Sequence, residues 1–229
     1  PDAKDTARAG LAANLVGIDC PIVIRINPNG TPWHEADLAA MTQLPVAGIM
    51  LPKTEASDDL AHVAHRLGSE MPVIALIESV AGVINLANIS SAPNLYQLAF
   101  GSIDFALDLG CAETREALLF ARSQIVLHSR YARLHHALDG VTVDIGDEPL
   151  LIQDCNHAAD LGFGGKLAIH PAQINPIRRS FLPGAAELDW ARRVLQAHEA
   201  AGGAAVLVDG RMVDAPVWER ARRILASGD

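Results

Sequence analysis

Glu78 is the one charged side chain between Met71 and Ile103, and it directly follows the apolar run Val73-Ile74-Ala75-Leu76-Ile77. A carboxylate in such surroundings calls for a partner or a metal, because unpaired burial is costly. The next acid is Asp104, which follows the run Leu95 to Phe100 by the short link Gly101-Ser102-Ile103. Two carboxylates on successive runs offer hard oxygen ligands of the kind Mg²⁺ takes, with positions left for water and substrate. Arg25, Lys53, Asp144 and His170 stand at or just after the ends of other short apolar runs. If those runs are parallel strands, their carboxyl ends share one mouth, where such folds build active sites.

Other spacings carry less. As zinc signals the histidines are weak: His135-His136 are merely adjacent, and His62 and His65, three apart on an amphipathic segment without a nearby third ligand, read as surface or half-buried. Gly162-Phe163-Gly164-Gly165-Lys166 lacks the spacing of a phosphate loop and precedes a strand, so it reads as a helix stop and turn. No Gly-x-Ser-x-Gly occurs, which leaves a hydrolase nucleophile elbow without support.

The elements that must position these groups alternate. Strands are expected at Pro21 to Asn27, Val46 to Leu51, Val73 to Ile77, Leu95 to Phe100, Val141 to Val143 and Lys166 to Ile169. The runs are short and nearly continuous, as in parallel strands buried on both faces. Helices are expected at Thr6 to Val16, His34 to Met41, Ser57 to Leu67 with Ser57 as cap, Thr114 to Ala137 and Glu148 to Leu161. The order implies right-handed βαβ units. After residue 185 the pattern changes to a helix from Ala186 to Ala200, a hairpin around Asp209-Gly210 and a closing helix from Pro216 to Ala226. Six strands fall short of a (β/α)₈ barrel, and the chain opens directly in a helix. The sheet is therefore either open and doubly wound or a barrel whose first strands are absent.

Composition bounds the remaining classes. The chain has 229 residues, 50% of them hydrophobic, which is enough for a packed core and excludes disorder. A net charge of −9 argues against a nucleic-acid binder held by bulk charge. The uncharged stretch Ser79 to Ile103 could span a bilayer in length, but its Asn, Ser, Gln and Pro residues point to a buried helix, a loop and a strand. Cys20, Cys111 and Cys155 are few, odd in number and far apart, and no leader is visible, so a cytoplasmic protein with reduced thiols is expected.

Several segments together resemble the citrate lyase β-subunit-like and malyl-CoA lyase group of the Mg²⁺-dependent aldolase/citrate lyase superfamily. They are Val23-Ile24-Arg25-Ile26-Asn27, Leu51-Pro52-Lys53-Thr54-Glu55, Ala75-Leu76-Ile77-Glu78-Ser79, Phe100-Gly101-Ser102-Ile103-Asp104-Phe105, Gly164 to Gln173 and Asp209 to Asp214. The resemblance implies a TIM (β/α)₈ barrel of the phosphoenolpyruvate/pyruvate type over residues 1–185, with the first two strands missing from this chain. A C-terminal helix–hairpin–helix lid over residues 186–229 would follow.

The resemblance also implies site roles. Glu78 and Asp104 would be the Mg²⁺ ligands, Arg25 would hold the substrate carboxylate or oxyanion, and Lys53 would be a supporting cation. His170, Pro171 and Gln173 would line the CoA pantetheine. Asp214 would reach a neighbouring subunit's site, although an Asp before Ala215-Pro216 is also what a helix start wants. The implied activity is cleavage or formation of a 3-hydroxyacyl-CoA thioester such as malyl-, citramalyl- or citryl-CoA, with acetyl-CoA and a 2-oxo acid on the other side. A homo-oligomer, trimer or hexamer, without nucleic-acid or membrane partners goes with it. The alternatives are a CoA-independent hydroxy-oxo-acid aldolase and a non-catalytic degenerate subunit.

Overall fold

The computed structural model describes residues 3–228, and these divide into two compact units, the first ending at Gln173 and the second beginning at Ile174. The division falls ahead of the 185/186 boundary that the sequence pattern suggested, so the helix at 174–181 groups with the C-terminal unit.

The first unit opens with α1 (Lys4–Asn14) and continues β1 (Val23–Arg25), α2 (His34–Met41), β2 (Gly48–Leu51), α3 (Ser57–Leu67) and β3 (Val73–Ile77). Two short helices, α4 (Val80–Ile84) and α5 (Leu86–Ile89), precede β4 (Leu95–Phe100). Then come α6 (Ser102–Leu109), α7 (Arg115–Tyr131), β5 (His135–Asp139), α8 (Glu148–Leu161) and β6 (Gly165–Lys166). The six strands form one sheet in the order β1-β2-β3-β4-β5-β6, every pair parallel. A doubly wound sheet reverses its order at a switch point. This one never reverses, so its winding is that of a half-barrel. Successive right-handed crossovers in one direction put the helices on one face.

The two faces are both apolar. All five residues of β3 are buried. Alternate residues Ile74 and Leu76 cluster with Ala99, Met50, Leu138 and Leu167 on one face. The intervening residues Val73, Ala75 and Ile77 are also fully buried, as are Leu98 and Phe100 of β4. At about 1.5–3 kcal/mol for each large aliphatic side chain taken from water, this burial is the main force holding the strand ends in register.

Several elements differ from the sequence reading. The helix expected to run to Ala137 stops at Tyr131, where Arg133 takes a left-handed φ of 58°, and the chain enters β5. His-His-Ala-Leu-Asp contains no β-branched residue, yet it pairs Gln97 with His135 and Ala99 with Leu138. Val141-Thr142-Val143, with high strand propensity, lies in the following loop, because tertiary pairing outweighs propensity. Ser57 is the first residue inside α3, and Asp59 does the capping work, its Oδ2 accepting the Glu55 and Ala56 N–H groups at 3.0 Å each. β1 and β6 are shorter than expected, but the bonds Ile26 N–H to Met50 O and Leu167 N–H to Asp139 O prolong the pairing beyond both.

The second unit contains α9 (Ile174–Phe181), α10 (Ala185–Ala200), the antiparallel hairpin β7 (Val206–Val208) and β8 (Arg211–Val213), and α11 (Ala215–Gly228). Asp209 and Gly210 both have positive φ, 52° and 73°, which suits a two-residue hairpin turn. Ala191, Val194, Val213 and Ala221 form its core. Among the described residues no helix is long and apolar enough to cross a membrane.

Candidate active site

The geometry at the ends of β2, β3 and β4 begins with Lys53. Pro52 ends β2, and Lys53 then turns the chain in the left-handed region at φ 52°. That turn aims its N–H at Glu78 Oε1, 3.0 Å away. Two bonds hold the loop: the Thr54 hydroxyl donates to Leu51 O at 2.9 Å, and the Thr54 N–H donates to Leu76 O at 3.3 Å. Glu78 itself leaves the end of β3, only 6% exposed, and Ser79 begins α4 by accepting the Gly82 N–H at 3.1 Å.

Gly101, at the end of β4, makes room for the Glu78 side chain. A Cβ on Gly101 would stand 2.5 Å from Glu78 Cβ and 2.7 Å from Oε2, so any other residue would displace the carboxylate. The chain then enters α6, whose first turn carries Asp104. Asp104 Oδ1 accepts from the Lys53 ammonium at 2.8 Å. Lys53 therefore touches both acids, one through its backbone and one through its side chain.

The electrostatics tie in the fourth group. Burial pushes the Glu78 carboxyl above its ordinary value and the charge of Asp104 adds to the rise; the Lys53 charge and N–H and the Arg25 charge oppose it. Burial likewise acts against the Lys53 ammonium, but the Asp104 hydrogen bond and the charges of Glu78, Asp104 and Asp108 outweigh it and raise its pKa. Arg25, Lys53, Glu78 and Asp104 thus share one field at the carboxyl ends of β1 to β4. The Lys53–Asp104 pair is half-exposed on both sides, 40% and 52%. Such pairs contribute only about 0–1 kcal/mol, so this one holds Asp104 weakly.

Two groups expected at the mouth make hydrogen bonds within their own loops. Asp144 is not at a strand end; its Oδ1 accepts the Gly146 and Asp147 N–H groups at 2.9 and 3.1 Å within its own loop. His170 is exposed in the turn after β6, where its Nδ1 accepts the Ala172 N–H at 3.2 Å. Pro171 starts a 3₁₀ turn that ends at Gln173. The Gln173 amide is buried, with Oε1 accepting the Ile169 N–H at 2.9 Å and Nε2 donating to Thr142 O at 2.8 Å. It positions the loop with both ends of its amide. Asp214 caps α11, accepting the Val217 N–H at 3.3 Å, which is the helix-start reading of that residue.

Sequence reasoning missed the residues beneath the mouth. β5 ends in Asp139, fully buried between Arg122 Nε at 2.8 Å and Lys166 Nζ at 3.6 Å. Lys166 also donates to Gly140 O at 2.6 Å. A lysine at the head of an otherwise apolar run was the available signal for this cluster. Gly101 left no signal beyond its place between a strand and an acid.

Residues 1–171 match the HpcH/HpaI aldolase/citrate lyase family. A citrate lyase subunit beta-like protein of Deinococcus radiodurans is 34% identical to this chain over 99% of it and 81% of the relative. A (3S)-malyl-CoA thioesterase of Cereibacter sphaeroides is 34% identical over 100% and 82%. Among solved structures, the CitE protein of Mycobacterium tuberculosis in complex with magnesium, acetoacetate and coenzyme A superposes with a TM-score of 0.84 at 31% identity, covering 99% of this chain and 85% of that one.

Proposed function

The chain belongs to the HpcH/HpaI aldolase/citrate lyase family, and from that membership we propose a Mg²⁺-dependent carbon–carbon lyase that splits a 3-hydroxyacyl-CoA thioester into acetyl-CoA and a 2-oxo acid. The observation that carries this reading is that Lys53 bonds both Glu78 and Asp104 at the strand ends, with the charge of Arg25 acting on Glu78 and Gly101 clearing space for its carboxylate. Magnesium and coenzyme A in the tuberculosis relative support the choice of metal and acyl carrier. The six strands are read as six of the eight staves of a (β/α)₈ barrel.

The donor set fits a hard dication: Glu78 and Asp104 offer two carboxylates, one of them buried. Glu78 and Asp104 would hold Mg²⁺, which when bound supplies Lewis-acid polarisation of the 2-oxo acid carbonyl. The Lys53 N–H keeps Glu78 Oε1 oriented, while the Lys53 ammonium gives up Asp104 and remains beside the substrate as a counter-charge. Arg25 pairs with the substrate carboxylate and offsets the negative charge that develops on oxygen as the bond breaks. Asp214 of a neighbouring copy takes the acetyl-methyl proton in condensation, while water protonates the new alkoxide; in cleavage water takes the hydroxyl proton and Asp214 returns its proton to the acetyl carbon. The loop at His170 and Pro171, held by Gln173, flanks the pantetheine arm.

The test is direct assay with Mg²⁺ of malyl-, citramalyl- and citryl-CoA, following acetyl-CoA and oxo acid. Formation of both, lost in Glu78→Gln, is expected. Undiminished turnover in that variant contradicts the site. A second reading, thioester hydrolysis, is favoured by the name of the Cereibacter relative; it would release free CoA and a hydroxy acid instead.

A further inference from the structure

Outside the strand-end cluster, one group of side chains has the composition of a transition-metal site. Among the described residues, His34, Glu35 and His62 form the one set of three His, Cys, Asp or Glu side chains whose ligand atoms all lie within 4.8 Å of one another. His34 and Glu35 begin α2, and His62 comes from the adjoining helix α3.

His34 is the telling member. It is 2% exposed. Its Nδ1 lies 2.8 Å from Asn27 O, a contact that requires the proton on Nδ1, so that in the neutral ring Nε2 carries the lone pair. Asn27 is itself pinned, its N–H and amide both donating to Asp37 Oδ2 at 2.9 and 2.5 Å. The remaining nitrogen, His34 Nε2, is buried without a hydrogen-bond partner. A buried acceptor left unpaired costs free energy. A histidine that hands one N–H to a backbone carbonyl and presents the other nitrogen bare has the arrangement found around bound metals.

The other two groups complete a mixed donor set. The imidazole of His62 stacks on that of His34 with ring centres 5.7 Å apart. His62 Nε2 lies 2.6 Å from Glu35 Oε1, and Arg66 holds the opposite oxygen, Oε2, at 3.1 Å. Glu35 is exposed and His62 half-buried, so one side of the set faces water.

We propose that His34 Nε2, His62 Nε2 and a Glu35 oxygen bind a borderline transition-metal cation of the Zn²⁺ class, with water in the fourth position, and that the ion clamps α2 to α3. Two imidazoles and one carboxylate suit Zn²⁺ and disfavour Mg²⁺, which takes oxygen ligands, so the two cations sort between the two sites. Binding displaces the proton shared between His62 and Glu35, leaving Arg66 on the free carboxylate oxygen.

The experiment is titration of the full chain with Co²⁺ in excess Mg²⁺, read by visible absorption, followed by displacement with Zn²⁺ and a thermal melt. One equivalent of Co²⁺ with the intense bands of a four-coordinate nitrogen–oxygen site, bleached by Zn²⁺, is expected, together with a raised melting temperature. His62→Gln alters a half-exposed side chain and should keep the fold. It should weaken binding by more than about a hundredfold, beyond what loss of an outer partner does. Glu35→Gln should weaken it too, and His65→Gln, on the same helix but outside the set, should leave it unchanged. Six-coordinate spectra, no saturable binding, or binding that survives His62→Gln would overturn the proposal.

Discussion

Gly101 lies flat against Glu78, with no space for even one carbon between them: a Cβ there would come within 2.5 Å of Glu78 Cβ and 2.7 Å of Oε2. The glycine is therefore part of how the acid is aimed. Gly101→Ala should destabilise the chain by about 1–3 kcal/mol, the usual cost of overpacking. It should also lower turnover by at least about a hundredfold, since misplacement of roughly 1 Å near the chemistry has that effect. Urea denaturation and lyase assay at saturating Mg²⁺ separate the two losses. A variant with lowered stability but full turnover would show that the carboxylate has no fixed role.

On the proposed reading, Lys53 competes with a cation for Asp104. Replacing it by Met removes the ammonium but keeps the N–H that holds Glu78. Because the Lys53–Asp104 pair is half-exposed and contributes only about 0–1 kcal/mol, Lys53→Met should tighten Mg²⁺ binding by up to about fivefold. Turnover should fall at the same time, as a counter-charge at the mouth is lost. Calorimetric Mg²⁺ titration checks the sign. Weaker binding would mean that the ammonium holds Asp104 in place for the metal.

Asp139 sits beneath the mouth with Arg122 and Lys166, all three side chains almost wholly buried. Asp139→Ala leaves two buried cations without their counter-ion and should cost about 3–5 kcal/mol in unfolding free energy. A loss under 1 kcal/mol, roughly that of an exposed pair, would show that water enters the cluster.

Asp154 provides a pH-dependent contribution. Burial pushes its carboxyl up, but Arg115 at 2.8 Å, the Thr142 hydroxyl at 2.8 Å and the field of Lys166 outweigh that and hold it below its ordinary 3.8. The folded chain therefore binds this proton less readily than the unfolded one. Its stabilisation is complete above about pH 4 and is lost as pH falls through the folded-state value. Asp154→Asn should lower stability at neutral pH and make the acid limb of the urea midpoint shallower. An unchanged acid limb would contradict the assignment.

The residues most legible in the sequence were those that break a local pattern. Glu78 interrupts 32 uncharged positions between Met71 and Ile103, so its environment is readable in the sequence itself. Asp104, Lys53 and Arg25 were readable as charges at the ends of apolar runs, and β1 to β4 as the runs themselves. β5 was not, because its residues lack strand propensity and Val141-Thr142-Val143 imitates a strand; only pairing with β4 decides between them. The histidines show the same limit. The spacing of His62 and His65 pointed along one helix, whereas the partner of His62 stands across on α2, a relation that needs the packing of two elements. Gly101 was illegible for the same reason, since its role depends on which side chain packs over it.

On the proposed reading, Glu78 and Asp104 jointly hold one divalent ion. Anomalous diffraction from crystals soaked in Mn²⁺, a stand-in for Mg²⁺, tests it most directly. A single peak within coordination distance of both carboxylates, with the Lys53 ammonium drawn off Asp104, is the predicted result. A peak that touches neither acid, or an active crystal form in which Lys53 still occupies Asp104 and no ion lies beside Glu78, would contradict it.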